Sequence, residues 1–197
     1  MNTKRILTTI LRLGVAAAVA YFVVDALRSE FFGSLQYFTY TGSLVIAALL
    51  ILVVARRVDE RHLVLALSIA TVIHVVYIGL LVGPGGVLED LRSGGIENLV
   101  LHYLTPYVLL VDLVALSEVR RYRYRDAWAY LLVPVLYLGY VLVYGQLTRE
   151  YPYFFLDVGE LGILVVVYVA SIAALFLGLN LALVAARKRL VRGRAEE

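Results

Sequence analysis

The chain has 197 residues, of which 62% are hydrophobic and 17% are charged, and its net charge is +3. This composition excludes an ordinary soluble domain, in which about 45–50% of the residues are apolar. The absence of cysteine excludes disulfides, thiolate nucleophiles and thiolate metal sites.

Six apolar segments follow one another along the chain. A helix crosses the hydrocarbon core of a bilayer, about 30 Å thick, with about 20 residues, and each segment approaches or passes that length. We therefore predict an all-α polytopic membrane protein, with a single domain over residues 1–197. The predicted spans are 6–27, 36–55, 63–83, 99–117, 127–145 and 161–186.

Basic residues alternate between the two sides of these spans. Fifteen of the 18 Lys and Arg residues lie near the N-terminus and in 56–61, 120–125 and 187–194, whereas the other connections hold only Arg28, Arg92 and Arg149. The positive-inside rule then predicts a multipass protein of the cell membrane with both termini in the cytoplasm. Because topology and attraction to anionic lipids explain the basic excess, we expect no nucleic-acid binding.

The first span also resembles a signal peptide. Lys4 and Arg5 precede an apolar run that contains Ala-Val-Ala at 18–20. The run is longer than the core of a signal peptide, and Arg12 interrupts it. We expect the first helix to be retained.

The second span carries Thr39 near its start, on the outer side. A lone Thr at a helix start is most often an N-cap. The third span carries His74 in its middle, where a lone His usually has a packing or supporting role. Because His74 and His102 are predicted to differ in depth by about 8 Å, a bis-histidine haem is not favoured, and no cofactor or metal is expected.

The fourth span has one polar face, because Asn98, His102, Thr105 and Asp112 lie on one helical stripe. Lipid cannot satisfy such a face, so the stripe should point into the bundle. The pattern is compatible with a site and also with hydrogen bonds that only hold helices together. Asp112 lies ten residues beyond His102, about 15 Å deeper, and we expect it to pair near the cytoplasmic end.

Thr39 and His102 are predicted to lie at similar depth in the outer leaflet. A hydroxyl becomes a useful nucleophile when a neutral imidazole removes its proton, so a Thr and His pair is typical of a hydrolase. The spacing alone leaves both this interpretation and the N-cap open. Aromatic residues gather at the same boundary, where they form an interfacial belt or the walls of a lipid-binding cleft.

Three segments together resemble a known family. QYFTYTGSLV at 36–45, ENLVLHYLTPYVLLVD at 97–112 and EYPYFFLDVGE at 150–160 are similar, in order and spacing, to the androgen-induced and androgen-dependent tissue-factor-pathway-inhibitor-regulating proteins and their six-pass prokaryotic relatives. The resemblance implies a multipass threonine hydrolase of fatty acid esters of hydroxy fatty acids. Thr39 matches the nucleophile of the family and His102 its catalytic His. One departure is Gly42-Ser43, where the prokaryotic relatives usually show Ser-Asn.

The sequence therefore predicts an intramembrane lipid-ester hydrolase with a Thr39 nucleophile and a His102 base near the outer leaflet. Membrane lipids and a lipid-ester substrate are the expected partners, and the oligomeric state is left open. Either Asn98 or Asp157 is expected to fix the tautomer of the imidazole. The supporting candidates are Asn98, Asp157, Tyr153, His74 and Ser43.

A non-catalytic membrane protein is the alternative. It would be a small transporter or a lipid-binding scaffold, whose polar residues serve packing or a substrate path. Asp112, His74 and Asn180 are the residues that would continue such a path across the membrane.

Overall fold

The computed structural model describes residues 3–83, 85–117 and 123–196, and every regular element in these residues is helical. The helical prediction is confirmed. The α-helices are α1 (Thr3–Ser29), α2 (Phe31–Leu35), α3 (Phe38–Val54), α4 (Leu63–Val76), α5 (Val87–Ser93), α6 (Gly95–Asn98), α7 (Thr105–Val111), α8 (Tyr124–Tyr130), α9 (Leu132–Thr148), α10 (Val158–Leu161) and α11 (Leu164–Glu196).

Short stretches of other helix types join some of these elements. Two 3₁₀ turns, Glu60–His62 and Phe154–Leu156, precede α4 and α10. Three π-helical stretches lengthen the helices that carry the polar residues: Tyr77–Val82 continues α4, Leu99–Leu104 joins α6 to α7, and Asp112–Leu116 follows α7.

Among the described residues, five helices are long and apolar enough to cross a membrane: Thr3–Ser29, Glu60–Val82, Gly95–Leu116, Tyr124–Thr148 and Leu164–Arg189. The sixth apolar helix, α3, has only 17 residues, or about 25 Å of rise. Its predicted start at residue 36 is wrong, because Gln36 ends α2 and the extended backbone of Tyr37 separates the two helices.

The centre of the bundle is α4, which packs against α3, α7 and α11. Its residues from Leu63 to Ala70 are all buried, as is typical of a helix that is apolar on every side. At Gly42 on α3, an added Cβ would lie 2.9 Å from Cγ2 of Ile69 and 3.2 Å from Cδ1 of Ile73. The small residue lets α3 approach α4 closely, one turn below Thr39.

A buried ion pair joins α1 to the end of the long helix Gly95–Leu116. Arg12 donates to both carboxylate oxygens of Asp112, at 2.8 and 3.0 Å, and to Glu60 at 2.6 Å. Arg12 is 4% exposed and Asp112 is 1% exposed. Asp112 thus has the pairing role expected of it, at the opposite end of its helix from His102.

Candidate functional site

The structure brings Thr39 and His102 into contact. Thr39 Oγ1 lies 3.2 Å from Nε2 of His102, with Thr39 in the first turn of α3 and His102 in the π-helical stretch before α7. Tyr37 occupies the N-cap position of α3, and its side chain makes no capping hydrogen bond. The side chain of Thr39 therefore faces the imidazole rather than capping its helix.

The imidazole of His102 is held on its face by Tyr77 and contacts Thr39 through Nε2. The Tyr77 ring stacks on it with centroids 3.8 Å apart and planes at 21°. Nδ1 is buried and makes no hydrogen bond of ordinary geometry within the described residues, although the Asn98 backbone carbonyl faces it. If the proton resides on Nδ1, Nε2 is free to accept the Thr39 hydroxyl proton, which is the tautomer that a general base requires.

His74 supports the backbone of His102 instead of its ring. Nδ1 of His74 donates to the His102 carbonyl at 2.7 Å, and Tyr107 donates its hydroxyl to Nε2 of His74 at 3.3 Å. In an α-helix that carbonyl would accept the N–H four residues later, but residue 106 is a proline and has none. Pro106 thus leaves the His102 carbonyl without its helical N–H donor, and His74 donates to it instead. The two histidines therefore lie closer together than their predicted depths implied.

Asp90 on α5 is a residue that sequence reasoning missed. Its carboxylate accepts hydrogen bonds from Tyr103 at 2.6 Å, from Asn98 at 2.8 Å and from Tyr77 at 2.8 Å. Burial alone raises the pKa of Asp90, but these three donors outweigh it and hold the pKa below 3.8. The carboxylate is therefore ionised near neutral pH, and through Tyr77 it fixes the ring that stacks on His102.

Tyr153 reaches the start of α3 from the loop before α10. Its hydroxyl accepts the Phe38 N–H at 3.0 Å and also lies against Thr39. The side chain is buried, and its ring stacks on Phe155 with centroids 5.0 Å apart. Burial raises the pKa of Tyr153, although the contacts with Thr39 and Phe38 lower it. The phenol therefore keeps its proton near neutral pH and can donate it beside Thr39.

Two cavities meet at this pair. The polar cleft, of about 540 Å³, is lined by Tyr37, Thr39, Tyr40, Tyr77, Leu81, Asp90, Gly94, Glu97, Asn98, Leu101, His102, Pro152 and Tyr153. The apolar cavity, of about 150 Å³, extends inward between α3, α4, α9 and α11. Engineered apolar cavities of that size hold a benzene molecule. The residues that line both spaces are Thr39, Tyr77, Leu81 and Tyr153.

The side chains of Asn98 and Asp157, which were predicted to orient the imidazole, hydrogen-bond to other groups. The Asn98 amide donates to Asp90, so only its backbone carbonyl faces His102. Asp157 accepts the N–H groups of Gly159 and Glu160 at 2.8 and 3.1 Å and caps α10. The Asn98 side chain is thus occupied by Asp90 and the Asp157 side chain by the first turn of α10, and the fixing of the tautomer by either residue stays a prediction. Ser43 is buried one turn below Thr39 and lines neither cavity.

Metal ligands are not grouped in the part of the chain that the structure describes: no three His, Asp or Glu side chains lie together. No protein-family model, curated protein or solved structure matches the chain.

Proposed function

We propose that this chain is an intramembrane lipid-ester hydrolase in which Thr39 is the nucleophile and His102 the general base. The observation that carries the proposal is the 3.2 Å contact between Thr39 Oγ1 and His102 Nε2 at the junction of the polar cleft and the apolar cavity. A free hydroxyl is a weak nucleophile, and an adjacent base within hydrogen-bonding distance activates it. The resemblance to the threonine hydrolases points to the same pair.

The reaction proceeds in two halves. Thr39 Oγ1 attacks the ester carbonyl while its proton moves to Nε2 of His102, and the ester C–O bond then breaks as the alcohol leaves with that proton. A water molecule next gives a proton to Nε2 and attacks the acyl-threonine. The carboxylic acid departs, and Thr39 regains its proton from His102.

A lipid ester suits the shapes of the two cavities. The apolar cavity accepts part of the acyl chain, because its lining comes largely from aliphatic and aromatic side chains. The polar cleft accepts the ester group and the alcohol. In this proposal six helices, including the short α3, cross the cell membrane with both termini in the cytoplasm, so the site faces the outer leaflet.

Tyr153 supplies the oxyanion donor in this mechanism. Its hydroxyl accepts the Phe38 N–H and, in this proposal, donates its own proton to the reacting carbonyl oxygen. We expect Tyr153→Phe to lower kcat by about 10²–10³-fold, the usual effect of losing one such donor. Steady-state turnover of a chromogenic ester checks this. Tyr151→Phe is the matched control, since Tyr151 packs on Gly145 away from Thr39, and an equal loss in both variants would contradict the assignment.

Covalent labelling tests the proposal as a whole. Detergent-purified protein is treated with a reporter fluorophosphonate, and we expect wild type to be labelled at Thr39 and Thr39→Ala to be unlabelled. Thr41→Ala is the control, because the Thr41 hydroxyl bonds to the Tyr37 carbonyl within its own helix. Folded wild type that stays unlabelled, with a probe small enough for the cleft, would favour the transporter or scaffold instead.

A further inference from the structure

The polar cleft carries only negative charge. Its ionisable acidic residues are Asp90 and Glu97, and no Lys or Arg is among the described residues that line it. Neither carboxylate forms a salt bridge with a residue that the structure describes. A ligand in the cleft therefore meets two carboxylates without a compensating cation.

Both carboxylates are fixed in place by neutral donors. Asp90 accepts its three hydrogen bonds from Tyr77, Tyr103 and Asn98, and Glu97 accepts one from the Tyr40 hydroxyl at 3.0 Å. These donors are consequently turned toward the protein's own carboxylates rather than toward a bound anion. The low pKa of Asp90 keeps its charge near neutral pH.

We propose that the site takes esters whose alcohol part carries no negative charge, with the alcohol in the polar cleft and the acyl chain in the apolar cavity. This inference rests on the proposed hydrolase function and names its substrate class, which departs from the free hydroxy fatty acid esters that the resemblance implies. A carboxylate or phosphate placed near Asp90 and Glu97 is repelled by their like charge. A neutral or cationic alcohol meets no such barrier, and the cleft offers tyrosine rings to a cationic one.

A matched pair of substrates tests the charge rule. A fatty acid ester of a hydroxy fatty acid has a free carboxylate on its alcohol part, and in its methyl ester that charge is replaced by a neutral ester with one added methyl group. In mixed micelles at low ionic strength and neutral pH, we expect wild type to cleave the internal ester of the methyl ester with a kcat/KM about tenfold higher, given the size of the repulsion between like charges near a protein surface.

Variants separate charge from differences in micelle partitioning. Glu97→Gln removes one charge but keeps the oxygen that accepts the Tyr40 hydroxyl, and we expect it to reduce the preference to a few-fold. Glu89→Gln removes an exposed charge on α5 outside the cleft, so the preference should be unchanged. A free acid cleaved as fast as its methyl ester, or a preference that Glu97→Gln leaves intact, overturns the inference.

Binding separates this inference from the hydrolase proposal. A fluorescent fatty acid ester of a neutral alcohol is bound to Thr39→Ala, and the free acid and the methyl ester are compared as competitors. A methyl ester that displaces the probe at about a tenth of the concentration supports the charge rule even if no ester is turned over, in which case only the hydrolase proposal fails. Equal displacement by the two competitors overturns the charge rule.

Discussion

Thr39→Ala, His102→Ala and the double variant should each lose ester turnover by about the same factor, on the order of 10⁴-fold. The hydroxyl and the imidazole are 3.2 Å apart and act as one unit, because the proton that leaves Oγ1 is the proton that Nε2 receives. Once either group is gone, the other has no partner with which to accelerate the reaction. Losses in such a unit are therefore not additive.

Turnover of one chromogenic ester by all three purified variants measures this. Thr39→Ser is the informative companion, because it restores a hydroxyl at the same position and should recover much of the lost rate. Size-exclusion profiles and thermal unfolding confirm that each variant is folded. If the loss of rate in the double variant equals the two single losses multiplied together, the groups act independently. If His102→Ala keeps the wild-type rate, His102 is not the general base.

Asp112→Ala should destabilise the fold by about 3–5 kcal/mol, because it leaves the buried Arg12 guanidinium without its main partner. Arg12 donates two hydrogen bonds to this carboxylate and one to Glu60, and it is 4% exposed. The double variant Arg12→Leu and Asp112→Leu removes both charges. It should recover most of the loss, since a buried ion pair is often replaceable by apolar side chains.

Unfolding in a denaturant gradient in detergent measures the free energy of unfolding for each variant. Arg125→Ala serves as the control, because Arg125 is 75% exposed and its contact with Asp126 is 4.0 Å long. Exposed pairs of that kind contribute at most about 1 kcal/mol. If Asp112→Ala were no more destabilising than Arg125→Ala, the buried pair would have no structural role.

Hydropathy was sufficient to predict the long helices, because a bilayer-spanning helix satisfies its backbone internally whatever it packs against. It could not place the start of α3, where the chain turns at Tyr37 between two apolar helices. The predicted depths of the polar residues in the membrane were enough to select Thr39 and His102, since both are predicted near the outer ends of their helices. The proton path between them remains a prediction.

The residues that surround this pair were harder to assign. Asp90 lies in a short helix with no recognisable motif, and only the folded arrangement brings Tyr77, Tyr103 and Asn98 to its carboxylate. Likewise, the segment that contains Tyr153 resembles the family, but the sequence indicates no role for this residue. Only the folded structure places its hydroxyl beside the backbone of Phe38. The sequence did not show that Asp157 caps α10, where its carboxylate accepts the Gly159 N–H.

The ion pair of Arg12 also bears on how the protein is made. Its partners Glu60 and Asp112 follow it by 48 and 100 residues, so neither exists when α1 leaves the ribosome. An uncompensated arginine opposes membrane insertion of an isolated helix by about 2.5–3.5 kcal/mol at its centre. For a chain inserted during translation, α1 is thus only weakly anchored in the membrane at first. The pairing of Arg12 is complete only when the long helix Gly95–Leu116, which carries Asp112, has been synthesised.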